Sequence, residues 1–206
     1  MSATLAPVLL IGGWTVAALL QPPGFDSAID TISALAGFGA TDRWVMTIAL
    51  VGLGICHLVT ASGLCAAAIA GRWVLAVGGA STIAVAAFPL PAVGKSSAHA
   101  VAAGIAFIAL SLWPALSWSS VARPGTSDAA DVPWPLRRNF AIAASVVLFA
   151  LLVAFAACQA AGVFVGGSER IVAGAQAIWP LIVVWSTWSI LRRRVDASSP
   201  AHPNRA

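Results

Sequence analysis

The carboxylates Asp26 and Asp30 lie four residues apart, and Ser33 follows three further on. That spacing places all three on one face of a helix. Two carboxylates one turn apart repel, and where water is excluded the repulsion favours the protonated form of one of them. A protonated carboxyl is what a general acid needs. The plainer reading of the same residues is a solvated polar face on which Asp26 and Ser27 help to cap the helix. A third acid, Glu169, sits in Gly166-Gly167-Ser168-Glu169-Arg170 just before an apolar run. There Ser168 is placed to cap a helix and Glu169 to complement its dipole. The catalytic reading makes Glu169 a second candidate acid, with Arg170 beside it.

Few other polar side chains interrupt the apolar runs. Gln176 falls two turns beyond Glu169 on the same face, and Gln159 lies near the end of the preceding run. Buried amides at membrane depth need partners and therefore face a bundle interior or a wet cavity. His99 opens one apolar run just after Lys95, while His57 lies thirteen residues into another that starts at Trp44. At helical rise that is roughly 20 Å from the run's start. A histidine so deep is more often bonded to a backbone carbonyl than functional, and its role stays open. His57 and His99 differ too much in depth to ligate one haem. Cys56, Cys65 and Cys158 all fall in apolar runs without metal-ligand spacing and read as packing residues. Neither a metal nor a cofactor is expected.

The elements that must position these groups are set by composition. Of 206 residues, 60% are hydrophobic and only 9% charged, against about a quarter charged in soluble domains. Lipid must be the solvent for most of the chain. Six segments are long and apolar enough to span: Thr4–Leu20, Trp44–Ala70, Trp73–Pro89, Ser97–Val121, Asn139–Val165 and Ile171–Leu191. The first lacks the basic flank of a signal peptide and reads as a retained helix. Pro114 and Pro180 fall inside the fourth and sixth segments and predict kinks. The second and third segments are expected to turn tightly at Gly71-Arg72. A polar loop, Ala122–Arg138, follows the fourth.

The fold class is therefore all-α, a polytopic bundle of six transmembrane helices forming one domain over residues 1–194. Residues 195–206 are expected to form a disordered tail. Placing both termini in the cytoplasm puts Arg72, Arg123, Arg137, Arg138, Arg192, Arg193, Arg194 and Arg205 inside, and only Arg43, Lys95 and Arg170 outside. That asymmetry is the positive-inside pattern. Abundant alanine and arginine, with Lys95 the only lysine, point to a GC-rich bacterial genome and so to a bacterial plasma membrane. Clustered arginines beside apolar runs are topology signals, so no nucleic-acid partner is expected. Trp73, Trp118, Trp185, Trp188 and Trp44 fall at segment ends, as interfacial tryptophans do. Trp14, Trp113 and Trp179 lie well inside their segments. The long first outer loop, Gln21–Arg43, carries an amphipathic stretch over Phe25–Ala36, with Phe25, Ala28, Ile29, Ile32 and Ala36 on one face.

The segment Asp30-Thr31-Ile32-Ser33-Ala34-Leu35 after Pro22-Pro23-Gly24, the glycines Gly52 and Gly54, and the Glu169-Arg170 pair form a recognisable set. Together they resemble the prokaryotic six-helix membrane family catalogued as domain of unknown function 998, from about Leu5 to Arg194. The resemblance implies fold and topology but no general activity. At the level of fold the chain is also similar to small bacterial membrane-bound terpene cyclases, compact bundles that protonate a prenyl chain with a carboxylic acid.

These readings converge on an outer-facing pocket of Asp26, Asp30, Lys95, His99, Gln159, Glu169, Arg170 and Gln176 over an apolar interior. The concrete expectation is proton-initiated cyclisation of an isoprenoid or other lipid-like substrate. Asp26, Asp30 or Glu169 is the acid, and tryptophan and phenylalanine faces, with Trp14, Trp113 and Trp179 as the named candidates, stabilise cations. His99 or a carboxylate takes the final proton. The lack of a DDxxD-like acidic run argues against magnesium-assisted diphosphate ionisation. The competing expectations are a non-catalytic accessory or sensor protein, and a small-molecule transporter with His57 as its midplane group. The expected partners are the bilayer and a prenylated or otherwise lipophilic small molecule. The sequence is compatible with a homo-oligomer but fixes neither the oligomeric state nor the substrate.

Overall fold

In the computed structural model, residues 1–119 and 132–198 are described, with side chains through Arg193. Seven α-helices appear in them: α1 Ser2–Leu19, α2 Ile32–Leu35, α3 Trp44–Gly63, α4 Ile69–Ala87, α5 Ser97–Ser117, α6 Arg138–Ala161 and α7 Val165–Ser198. All except α2 are long and apolar enough to cross a membrane. The chain is a multi-pass membrane protein, and six crossings return its C-terminal helix to the side where α1 begins. Arg123, Arg205 and the side chain of Arg194 lie outside the described residues, as do most of the expected polar loop and residues 199–206 of the expected tail.

The spans pack in sequence order, α1 on α3, α3 on α4, α4 on α5, α5 on α6 and α6 on α7, and α7 closes back on α1. The ring is uneven. A narrow central cavity draws its walls from α1, α3, α4, α5 and α7, and none of its lining residues comes from α6. Only 17% of the apolar window of α6 is buried, against 50% for α3. α6 is thus an outlying helix laid against α5 and α7, with most of its surface facing lipid.

Lipid supplies no hydrophobic drive between helices, so close contact depends on small residues. Gly54 of α3 and Gly79 of α4 face each other where the two helices cross. A Cβ added at Gly54 would lie 2.5 Å from the Gly79 carbonyl oxygen, and one at Gly79 would lie 2.8 Å from that of Gly54. Only backbone fits there.

Several boundaries differ from the sequence expectation. α3 ends at Gly63 and α4 begins at Ile69, so Gly71 and Arg72 lie inside α4 and the turn is Leu64–Ala68. Apolar residues run straight through that turn, which left no polar break to find. Arg72 reaches back to cap α3, donating to the carbonyls of Ala61 at 2.8 Å and Ser62 at 2.6 Å, the usual service of a cation at a helix C-terminus. α5 stops at Ser117 rather than Val121. α6 stops at Ala161, where Gly162 takes the left-handed conformation at φ 68°. α7 starts six residues earlier than expected, at Val165, and runs through Val195 to Ser198. In the first long loop the helix is only Ile32–Leu35, capped by the Thr31 side chain, and Phe25–Thr31 forms turns instead of an amphipathic helix.

Pro114 and Pro180 lie inside α5 and α7 as expected. Next to Pro114 the amide of Ala115 donates to the Ser145 hydroxyl of α6 at 2.9 Å. A neighbouring helix thereby satisfies backbone near the proline. Trp44 and Trp73, near the starts of α3 and α4, and Trp185 on α7 are exposed. The Arg43 guanidinium sits 4.6 Å from the Phe38 ring and 4.1 Å from that of Trp44.

Gly79→Ala is expected to destabilise the bundle by about 1–3 kcal/mol, the usual range for overpacking. Gly12 has nothing within 4 Å of an added Cβ, so Gly12→Ala should be neutral or slightly stabilising. Thermal unfolding of the two variants in detergent, side by side, checks the contrast.

Candidate functional site

The site lies at the bundle end where α1 finishes and α7 begins. Its foundation is a junction between the first long loop and the start of α7. The amides of Gly166 and Gly167 donate to the carbonyls of Ile29 at 3.1 Å and Ala28 at 3.0 Å. These are α7's first-turn donors, which have no partner within the helix. The Arg170 guanidinium donates to the carbonyls of Ser27 and Asp30, each at 2.7 Å, and to that of Gly166 at 3.0 Å. A Cβ at Gly166 would come within 2.2 Å of the Asp30 carbonyl oxygen, so only glycine allows this approach.

Glu169 is the centre of the junction. It is 4% exposed. Its Oε2 accepts the backbone N–H of Ile32 in a short hydrogen bond, and its Oε1 accepts the Ser33 hydroxyl at 3.1 Å. The carboxylate therefore meets the free donors at the start of α2. Ser168, the expected cap, is already helical and donates its hydroxyl to the Val165 carbonyl at 2.9 Å. The glycine pair did not delay the helix because the loop carbonyls took its first amides.

Two spaces meet at Glu169. One is a groove of about 690 Å³ between α5, α6 and the loops, lined by Thr31, Ser33, Lys95, His99, Gln159 and Glu169 at its polar end. Gly104, Ile108, Leu152 and Phe155 line its apolar length. The Phe107 and Phe155 rings meet at a tilt, with 5.4 Å between centroids and 43° between planes. The other is the central cavity of about 60 Å³, which runs inward past Glu169, Gln176 and Thr82 to His57.

Of the residues singled out in the sequence, the structure gathers Lys95, His99, Gln159 and Glu169 on the groove and Gln176 on the adjoining cavity. His99 is buried, and its Nδ1 lies 2.8 Å from the Phe88 carbonyl oxygen. A carbonyl only accepts, so Nδ1 carries the hydrogen and the neutral ring keeps its lone pair on Nε2. Gln176 donates its amide hydrogens to the Phe107 carbonyl and the Ser111 hydroxyl, both at 2.9 Å.

The two aspartates are elsewhere. Asp26 is exposed, and its carboxylate accepts the Ala28 amide at 2.8 Å. Asp30 accepts the Asp26 amide at 2.8 Å and borders a separate surface hollow with Gln21 and Phe25. Both carboxylates close local turns, as short acidic side chains commonly do, and neither lines the groove or the central cavity. Arg170 braces the junction instead of lining either space. The three tryptophans also fall outside. Trp14 packs against the core near Gly174, Trp113 is fully buried in the cluster at the opposite end, and Trp179 borders an apolar recess between α6 and α7.

Sequence reading missed Phe107 and Phe155 as the groove's aromatic lining. Both sit in uniformly apolar stretches, where periodicity does not mark which side faces a gap. Among the described residues no group of three or more metal-ligating side chains comes together.

Arg170→Met removes the three carbonyl contacts, and Gly166→Ala forces the loop off α7. Each is expected to cost about 1–3 kcal/mol and to make Phe25–Thr31 the first site of limited proteolysis. Asp42→Asn, away from the junction, should leave the digestion pattern unchanged.

Compared with families of known proteins, residues 4–186 match the model described as "Protein of unknown function (DUF998)". Comparisons with curated proteins and with solved structures found no match.

Proposed function

The chain belongs to the DUF998 family, whose description names no activity, and we propose from its own site that it is a membrane enzyme performing acid–base chemistry on an isoprenoid or similar lipid. One observation carries this reading. A buried carboxyl, Glu169, lines a large groove whose length is apolar and whose end is polar. An amphiphile with a long hydrocarbon chain matches that shape, with its polar end near Lys95, His99 and Gln159.

The most concrete form is proton-initiated cyclisation. Glu169 gives its proton to a terminal alkene or epoxide of the bound chain. The resulting cation is attacked by an internal double bond, so a carbon–carbon bond forms and the charge moves along the chain. The faces of Phe107 and Phe155 stabilise that charge. Nε2 of His99 removes a proton from the last cation to leave an alkene. The product is an isomer of the substrate, and no other reactant is consumed. The hydroxyl of Ser33 supports the acid, since it can donate to the carboxylate and accept from the carboxylic acid.

The arginine asymmetry supports an orientation with both termini in the cytoplasm of a bacterial cell and the groove in the outer half of the plasma membrane. A second reading, a non-catalytic lipid-binding accessory or sensor, is favoured by one feature. Both oxygens of Glu169 already hold the first loop in place.

Glu169→Gln is expected to reduce turnover of prenylated substrates by about a hundredfold or more, the usual range for losing a general acid. Asp26→Asn and Asp30→Asn should retain near-wild-type turnover, because their amides can still close the same turns. Wild-type turnover in Glu169→Gln would end the catalytic reading. Lipids that co-purify with the protein, identified by mass spectrometry, should include a prenyl-type amphiphile. Gly104→Trp, which fills the groove, should reduce their amount.

A further inference from the structure

We propose that the central cavity is a water-filled proton path joining His57, in the middle of the bundle, to Glu169 at the groove. Its use in recharging the acid rests on the catalytic reading above. The path itself stands on separate observations.

His57 is 1% exposed, and neither ring nitrogen has a hydrogen-bond partner among the described residues. Its ring lines the central cavity. Buried polar groups are almost always paired, with protein or with ordered water. No neighbouring helix supplies the partner. Thr82, the nearest hydroxyl on α4 to line the same space, gives its hydrogen to the Gly78 carbonyl at 2.8 Å. Its oxygen can still accept. Gln176 has spent its amide hydrogens on α5, which leaves its carbonyl oxygen as an acceptor on the cavity wall.

The dimensions suit a short file of water. On α7 the lining runs from Glu169 through Ala173 and Gln176 to Ala177, about 12 Å at helical rise. A volume of about 60 Å³ holds roughly four waters. Ser33, Glu169, Gln176, Thr82 and His57 punctuate walls that are otherwise apolar. Water in such a channel is tethered at these points. Glu169 and His57 are the titratable side chains among its lining residues. One can hand a proton to the other through water without a charged group between them. Of the other titratable groups at this end, Lys95 and His99 open onto the groove on the far side of Glu169, while Arg170, Asp26 and Asp30 are held in the loop junction and line neither space. After Glu169 has protonated a substrate, the proton that His99 takes from the last cation can return to it across the groove that both line, and the water file lets His57 take up and give back that proton between turnovers.

The test uses full-length protein in lipid nanodiscs with ¹⁵N-histidine and requires no substrate. In water-edited solid-state NMR, the His57 ring signal should receive magnetisation from water, and its ring N–H should exchange with deuterated solvent. Ala177→Leu plugs the middle of the cavity and should slow that exchange at least tenfold. Glu169→Gln removes the proton-carrying gate and should do the same, while Asp26→Asn leaves the rate unchanged. Absence of water transfer to His57 in the wild type overturns the proposal. Exchange that stays fast in both variants also overturns it, because the route then bypasses Glu169. A loss of enzymatic activity plays no part in either readout, so failure of the catalytic reading would be seen separately.

Discussion

A carboxylate at the buried end of a membrane bundle must be surrounded by donors, and satisfying Glu169 organises this end of the molecule. An unpaired ionised group there would cost several kcal/mol. The chain answers by folding its first long loop so that the amide of Ile32 and the hydroxyl of Ser33 face the carboxylate. That placement has consequences for the whole loop. Thr31 must cap the short α2, the turns before it must present the carbonyls of Ser27, Ala28, Ile29 and Asp30, and Gly166 and Gly167 must come close enough to use them. The far limb of the loop is pinned separately, where Gln21 exchanges two hydrogen bonds with the backbone of Thr41, each at 3.0 Å.

The same constraint explains where the large groove lies. Five spans close around the central cavity, and the loop roofs them through Ile32 and Leu35, both buried in the core. α6 has no part in that closure. It touches the bundle through α5 and α7 and leaves a gap where the loop residues Thr31 and Ser33 look outward. The groove is therefore bounded by lipid-facing helix surface on one side and by the Glu169 junction on the other. On the reading proposed above, a hydrocarbon chain enters it from the bilayer, and its polar end meets hydrogen-bonding groups only at one extremity.

The sequence carried the coarse architecture because lipid imposes it. Each span must be apolar for about twenty residues, so six of them could be counted, and most loops contain glycine, proline or charge. The turn between α3 and α4 escaped because Leu64–Ala68 is as apolar as the spans it joins, and Arg72 was read as part of that turn when it is a cap reaching back from α4. The grouping of Lys95, His99, Gln159, Glu169 and Gln176 was legible because each polar residue at membrane depth needs a partner. The roles of Asp26 and Asp30 were not. Their spacing suits a helical face, but Asp26 closes a turn with the amide of Ala28 two residues on, an alternative to helix that short acidic side chains offer the backbone. Phenylalanine is expected on the wall as a residue type, but nothing in the sequence singles out Phe107 and Phe155, and the three named tryptophans lie elsewhere. A residue's depth along a helix is readable from sequence, whereas its bearing around the helix requires knowing which neighbour is missing, and next to α6 the neighbour is lipid.

On the catalytic reading proposed above, Glu169 both holds a loop in place and gives up a proton, a conflict that the local chemistry resolves. The bond from Ile32 is a fixed backbone donor, which favours the ionised carboxylate at Oε2. The partner at Oε1 is a hydroxyl, which reverses its direction when that oxygen carries a proton. Protonation at Oε1 therefore keeps the loop attached through both contacts, and loss of the proton only turns the Ser33 hydroxyl around. With serine there, the junction tolerates both states without moving its backbone, as a residue must if it is to brace the fold and cycle through protonation at the edge of a groove.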